Sequence, residues 1–127
     1  AFIAANGITV QNRDSVSLDV GANGLASDFF RILLKPSESF KAPMRAERIP
    51  IQINSNIAPW MSAYALPLDH PCFAVTGKDG RFDIASIPPG EWELVFWHAG
   101  AGWLKTDQFP TGRKRMQFKA EKLTWEN

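Results

Sequence analysis

The sequence predicts an all-β protein, either a sandwich or a barrel. Short runs in which apolar and polar residues alternate recur along the chain, as expected for half-buried strands. No window shows the sustained three- and four-residue apolar spacing of an amphipathic helix. Nine glycines and nine prolines are spread between the runs, where they favour the turns of an all-β fold.

Size and charge exclude several classes of protein. The 127 residues fit one domain. A net charge of +1, from 14 basic and 13 acidic residues, gives no electrostatic basis for binding nucleic acid or an anionic membrane. No apolar run approaches the ~18 residues that a membrane-spanning helix needs. We therefore expect no nucleic-acid partner and no membrane span.

Neither the start of the chain nor its single cysteine indicates a compartment. The chain opens at Ala1-Phe2-Ile3 without an initiator Met or a signal peptide, so we expect a processed chain or a part of a longer one. Cys72 has no second cysteine to pair with, and it therefore does not indicate the redox environment.

The first half of the chain predicts strands separated by turns. Val16–Val20 alternates with period two, and we expect the glycine-containing residues 21–24 to end that strand. Phe29–Leu34 is a short apolar run that fits either a buried strand or a helical turn. Ile49–Ile53 alternates cleanly, and Ala63–Leu66 is the next predicted strand.

The second half continues the same pattern. Phe73–Thr76 and Arg81–Ile84 are predicted strands on either side of a hairpin turn. Glu91–His98 is apolar on both faces, which is typical of a strand in the centre of a sandwich. Met116–Ala120 is the last predicted strand, and we expect the basic residues 113–115 to form its solvated start.

Two motifs resemble known families, and the first lies in the first half of the chain. It joins the Asn12-Arg13-Asp14 turn and its following strand to the run from Ile49 to Met61. This combination resembles the exported bacterial cupredoxin-like proteins, including those labelled plastocyanin-like or methylamine-utilisation proteins. The resemblance implies a β-sandwich with cupredoxin-like Greek-key topology over residues 1–68, and a periplasmic or extracellular location.

The second motif lies between Phe73 and Leu94. Its fixed parts are Asp79-Gly80-x-Phe82-x-Ile84 and Pro88-Pro89-Gly90-x-Trp92-x-Leu94. It resembles the carboxypeptidase-regulatory-like, transthyretin-type β-sandwich pattern. The resemblance implies a transthyretin-like hairpin segment within residues 69–127, and we expect the two portions to form a single β-sandwich domain over residues 1–127.

The cupredoxin-like resemblance also locates four positions that would hold type 1 copper. Such a centre needs one thiolate, two imidazoles and a weak axial thioether. Set against the family's Cys-Asn-Ile-His-Pro-Trp-Met run, Ser55 takes the place of the cysteine and Ala58 that of the histidine, while Met61 keeps the axial place. The upstream histidine would fall near Ser17 or Leu18. With three of the four ligands replaced, the resemblance implies a scaffold that has lost copper, and we expect no cofactor.

A rearranged metal site is the alternative. His70-Pro71-Cys72 places two donors two residues apart, and His98 ends a predicted strand. A set of two histidines and one cysteine, with a methionine nearby, would be acceptable to copper or zinc. Structural roles at strand ends account for the same residues, since a lone cysteine is usually a small buried apolar side chain.

The sequence carries no recognisable catalytic motif. No nucleophile elbow, zinc-protease helix or phosphate-binding loop occurs. Asp69 and His70 are adjacent, but neighbouring residues in a strand point to opposite faces and do not form a dyad. We therefore expect no enzymatic activity.

Five tryptophans could form a binding surface. Trp60 follows Pro59 in the former ligand loop, at one pole of the expected sandwich, and Trp97, Trp103 and Trp125 are candidates for partial exposure. Exposed indole rings can stack on sugar rings or anchor a protein partner. The competing interpretation is that the rings fill the core, as we expect for Trp92.

Together these observations predict a non-catalytic binding or structural module of an exported protein, with an unidentified protein or polysaccharide as its partner. One alternative is a copper-binding electron-transfer protein with a rearranged site. The other is a carbohydrate-binding module that uses exposed tryptophans.

Overall fold

The computed structural model describes residues 2–4, 7–105, 113–118 and 122–125. These residues form strands, turns and loops, without a helix, so the prediction of an all-β fold is confirmed for this part of the chain. No helix that could cross a membrane occurs in it. The strands, numbered in chain order, are β1 (Phe2–Ala4), β2 (Ile8–Gln11), β3 (Leu18–Ala22), β4 (Phe30–Leu34), β5 (Ser39–Ala42), β6 (Ile51–Asn54), β7 (Ser62–Leu68), β8 (Phe82–Ala85), β9 (Gly90–Val95), β10 (Trp97–His98), β11 (Gly102–Trp103), β12 (Arg113–Phe118) and β13 (Lys122–Trp125).

The chain divides into two compact units, Ala1–Pro71 and Cys72–Asn127. The first unit contains a five-stranded sheet in the order β1-β7-β6-β3-β4 and a two-stranded sheet of β2 and β5. The pair β1–β7 is parallel, and the other pairs in this unit are antiparallel. Phe29–Leu34, which fitted either a strand or a helical turn, thus contributes strand β4.

The core of the first unit lies between its two sheets. Phe30 of β4 and Phe40 of β5 bring their ring centroids within 5.6 Å of each other. The same cluster contains Ile8, Ala22, Ala42, Met44, Ile51, Ile53 and Ala65. Because both sheets contribute to one apolar cluster, the first unit has the layered character of a β-sandwich.

The two faces of strand β3 differ in chemistry. Leu18 and Val20 pair with Leu34 and Ile32 of β4, and these apolar side chains share one face because cross-strand partners point the same way. The opposite face carries Asp19. Asp19 is therefore the polar residue of an otherwise apolar strand, and its surroundings define the site described below.

The second unit contains three antiparallel pairs of strands, β8–β13, β9–β12 and β10–β11. Residues 113–115 begin β12 and are exposed, which confirms the prediction of a solvated strand start. Arg113 forms an ion pair with Glu93 of β9 at 3.0 Å. Exposed pairs of this kind add little stability, so the register of β9 and β12 depends mainly on their backbone ladder.

Three expectations for strands were wrong. Glu91–His98 does not form one central strand, because it is divided between β9 and β10 and most residues of β9 are exposed. Strand β3 does not end before residue 21 but runs through Gly21 and Ala22, because the Arg31 side chain from β4 fills the space that a side chain at Gly21 would occupy. Phe73–Thr76 lies outside the strands of the structure.

Trp92 also differs from its prediction, since 47% of its surface is exposed and it does not fill the core. Its indole Nε1 donates a hydrogen bond to the carbonyl oxygen of Pro88 at 2.7 Å. The ring therefore lies against the Pro88-Pro89-Gly90 turn at the surface, where the indole N–H has an acceptor.

Candidate functional site

One end of the five-stranded sheet gathers three loops, and we call it the pole. Leu18 at the start of β3 pairs with Leu34 at the end of β4, and Asn54 at the end of β6 pairs with Ser62 at the start of β7. Because these strands are antiparallel neighbours, residues 12–17, 35–38 and 55–61 all lie at this end. We call Ser55–Met61 the pole loop.

The loops at residues 12–17 and 35–38 are joined through Asn12, which is buried. Its backbone N–H donates to the Glu38 carbonyl at 2.9 Å, and its carbonyl accepts from the Ser37 N–H at 3.0 Å. Its side-chain Nδ2 donates to the carbonyls of Val16 at 2.8 Å and Leu34 at 2.9 Å. The Asn12-Arg13-Asp14 turn thus connects two loops of the pole through the hydrogen bonds of Asn12.

The pole loop is fixed by the carboxylate of Asp19. The backbone ladder between β3 and β6 ends at the pair Gly21 and Asn54, and beyond it the side chain of Asp19 replaces the backbone as acceptor. Asp19 Oδ1 accepts hydrogen bonds from Ser55 Oγ at 2.8 Å, from the Asn56 N–H at 2.9 Å and from the Ile57 N–H at 2.8 Å.

The second carboxylate oxygen of Asp19 is also bonded. It accepts a hydrogen bond from Arg31 Nη1, and Arg31 Nη2 donates in turn to Asn54 Oδ1 at 2.8 Å. The guanidinium group lies over Gly21, where an added Cβ would come within 2.6 Å of its central carbon. The network therefore spans β4, β3 and β6 on the outer face of the sheet.

These contacts keep Asp19 ionised. The backbone N–H of Ile57 makes the largest contribution and lowers the pKa of Asp19 well below its ordinary value of 3.8, against an opposing effect of burial. The Ser55 hydroxyl, the Asn56 N–H and Arg31 act in the same direction. Only 8% of the residue is exposed, and a buried carboxylate is tolerated when each oxygen has donors.

Ser55 joins the carboxylate to the rest of the loop. Its hydroxyl donates to Asp19 and accepts a hydrogen bond from the Ala58 N–H at 3.0 Å. The Met61 N–H then donates to the Ala58 carbonyl at 2.8 Å. The loop is consequently a closed turn, and the N–H groups of Asn56, Ile57, Ala58 and Met61 all donate hydrogen bonds within the protein.

The four positions that the copper resemblance located do not fit a type 1 centre. Ser55 and Ala58 are neighbours within the loop, and the Ser55 hydroxyl is bonded to Asp19. Leu18 and Ala58 are buried and carry no donor atom, and Met61 is 43% exposed. A lone thioether cannot replace a thiolate and two imidazoles.

The residues of the alternative metal site have other contacts. The Cys72 Sγ lies 3.8 Å from the carbonyl oxygen of Ser86. His98 Nδ1 accepts a hydrogen bond from the Gly100 N–H at 3.0 Å, and His70 is exposed. Among the described residues, no group of three or more His, Cys, Asp or Glu side chains is placed to hold a metal ion.

The tryptophan candidates differ sharply in exposure. Trp97 and Trp103 are half-buried partners across β10 and β11, and the guanidinium carbon of Arg113 lies 5.7 Å from the Trp103 ring centroid. Trp60, on the pole loop, is 80% exposed. The side chain of Trp125 lies outside the described residues.

A second buried carboxylate acts at the opposite end of the sheet. Glu47 accepts backbone hydrogen bonds from Ser27 at 2.8 Å, from Ala26 at 3.1 Å and from Leu25 at 3.1 Å. Burial opposes its ionisation, but these N–H groups and the Ser27 hydroxyl outweigh that effect and lower the pKa of Glu47 below its ordinary value. Gly24 is required here because an added Cβ would lie 2.1 Å from Glu47 Oε1.

Sequence reasoning missed both carboxylates. An aspartate within a predicted strand was the available signal for Asp19, since aspartate is depleted in strands. Glu47 stands in a mixed segment that gives no such signal.

No protein-family model matches the chain, and no curated protein or solved structure is significantly similar to it.

Proposed function

We propose that this chain is a non-catalytic β-sandwich binding or structural module of an exported, periplasmic or extracellular protein. Its first portion is a cupredoxin-like Greek-key scaffold that has lost type 1 copper. The observation that carries the proposal is the carboxylate of Asp19, which fixes the pole loop with donors supplied by the protein alone.

The proposed loss of copper is supported by the way in which the pole loop is held in place. In a metal site, the ion ties together ligands from separate segments, and folding and binding are coupled. Here Asp19 of β3 ties together Ser55, Asn56 and Ile57 of the pole loop. The loop therefore needs no ion to hold its shape.

The same contacts argue against catalysis at the pole. A general base needs a pKa near the working pH and an accessible lone pair. Asp19 has neither property, because its pKa is lowered and its carboxylate oxygens accept hydrogen bonds from four donors. Without an activating base, the Ser55 hydroxyl is an ordinary alcohol, since a serine nucleophile depends on a neighbouring base.

Addition of Cu(II) to chelator-treated protein tests the proposal against its copper-binding alternative. We expect no intense visible charge-transfer band, because the pole offers no thiolate. Metal analysis of untagged protein as purified should likewise show no stoichiometric copper.

The matched variant for this test is Cys72→Ala, which removes the one cysteine of the chain. An intense band in the unaltered protein that disappears in Cys72→Ala would contradict the proposal. That result would favour a rearranged electron-transfer site that includes Cys72, with His70 and His98 as the next residues to replace.

A further inference from the structure

The pole loop presents one large aromatic ring to solvent. Trp60 is 80% exposed, the highest exposure among the large apolar side chains of the described residues. Ile57 and Met61 are exposed beside it on the same loop. An exposed indole on a loop with a fixed backbone is available to stack on a ligand.

The loop holds this ring in a prepared position. Asp19 fixes the backbone at Asn56 and Ile57, and the hydrogen bond from the Met61 N–H to the Ala58 carbonyl closes the turn around Trp60. Little backbone freedom remains to be lost when a ligand binds. Such preorganisation raises affinity because the ordering cost is met during folding.

The exposed apolar area suits a small ligand better than a protein. One aromatic side chain buries roughly 150–250 Å², and the partly exposed side chains of Val16, Ile57 and Met61 each add less than that. A stable protein interface takes roughly 800 Å² from each partner. The apolar part of the pole is smaller than such an interface, and its largest component, the single Trp60 ring, matches the face of one or two sugar rings.

The charges and polar groups of the pole favour a neutral, hydroxylated ligand. Its loops at residues 12–17 and 35–38 carry Arg13 and Lys35 against Asp14 and Glu38, and residues 55–61 carry no charge. The balance gives no attraction for a phosphate backbone or an anionic lipid surface.

Hydrogen-bonding groups lie close to the ring in the chain. Asn56 lies four residues before Trp60 and Ser62 lies two residues after it, and both are exposed. Amide and hydroxyl side chains beside an apolar surface are the usual means of orienting a small ligand.

We propose that the pole binds a neutral polysaccharide, with the indole of Trp60 stacked on the apolar face of a pyranose ring and with Asn56 and Ser62 bonded to its hydroxyl groups. This inference names the ligand class of the binding module proposed above and rests on that proposal. It also assigns the interaction to Trp60 and not to Trp97 or Trp103, whose rings are half-buried in the second unit.

Affinity electrophoresis of the full chain in native gels tests the inference. The gels contain soluble β-glucan, xylan or galactomannan, one polymer in each. We expect retardation in at least one gel, and we expect Trp60→Ala to weaken the apparent affinity about ten-fold or more, as for a central aromatic contact. Trp60→Phe should retain part of the affinity because a smaller ring can still stack.

Leu25→Ala is the matched control. Leu25 is 78% exposed at the opposite end of the same sheet, so its replacement removes exposed apolar surface without touching the pole. It should migrate as the unaltered protein does. Circular dichroism of each variant verifies that the fold is retained.

Three results would overturn the inference: no retardation in any polymer, equal retardation of Trp60→Ala, or self-association that Trp60→Ala abolishes. The last would identify a second copy of the chain as the occupant. None of these results bears on the copper titration, so failure of the sugar inference and failure of the proposed module are distinguishable.

Discussion

Asp19 links three segments that are distant in the sequence. Its carboxylate bonds to Arg31 of β4 and to residues 55–57 of the pole loop. Ionised acceptors form stronger hydrogen bonds than neutral ones. The Asp19 side chain therefore accepts hydrogen bonds from N–H groups that a longer β3–β6 ladder would bond to backbone carbonyls.

We expect Asp19 to make stability depend on pH in acid. The pKa of Asp19 is lowered in the folded state, so the contribution of its carboxylate is complete above the ordinary value of 3.8 and is lost as the pH falls below that value. Unfolding in urea, measured at intervals from neutral pH into acid, should show a decline in this window that is shallower in Asp19→Asn.

Asp28→Asn provides the comparison for that measurement, because Asp28 is an exposed aspartate of the same unit. Its pH profile should follow that of the unaltered protein. A profile of Asp19→Asn that is parallel to the unaltered one would show that the carboxylate does not carry the acid dependence.

At the scale of the strands, β3 is continuous because Gly21 of β3 and Arg31 of β4, which are paired across the two strands, complement each other. Gly21 leaves a space on β3, and the Arg31 guanidinium from β4 lies in it between Asp19 and Asn54. Glycine normally weakens a strand. In this strand the missing side chain is what allows the arginine to reach both partners.

Gly21→Ala should therefore destabilise the protein by about 1 kcal/mol, a typical cost for displacing a partly buried side chain. In an Arg31→Ala background the same change should be neutral, or should stabilise by roughly 0.5 kcal/mol, because alanine is less costly than glycine within a strand. Urea unfolding of the two single variants and the double variant measures this coupling. Additive effects would contradict the account.

The strands themselves follow from the sequence to a large extent. Alternation located most of β3 and β6 and the second half of β12, and the aspartate–glycine and proline–glycine pairs marked turns. Residues 119–120 of the last predicted strand lie outside the described residues. The extension of β3 through Gly21 was not predictable, because the arginine that fills the space comes from another strand. The surface position of Trp92 was not predictable either. Its indole donates a hydrogen bond to the carbonyl of Pro88, and an alternating sequence pattern does not indicate such a contact.

At the scale of the whole chain, the sequence predicted the class of fold but not the carboxylate hydrogen bonds that hold the pole loop. The sequence showed that Ser55 and Ala58 offer neither a thiolate nor an imidazole, but the carboxylate that fixes their loop comes from β3, 36 residues before Ser55. Glu47 fixes the opposite loop in the same way, from 20 residues away. Long-range polar contacts of this kind depend on topology, which a single sequence does not specify.

The contacts of Asp19 predict that the protein itself, without a metal ion, holds the pole loop. Native-state hydrogen exchange of the Asn56, Ile57 and Ala58 amides tests this most directly, since exchange reports local opening. In metal-free protein we expect slow exchange at all three amides, no change on addition of Cu(II), and much faster exchange at Asn56 and Ile57 in Asp19→Asn. Rapid exchange in metal-free protein, with protection that develops only when Cu(II) is added, would contradict the account.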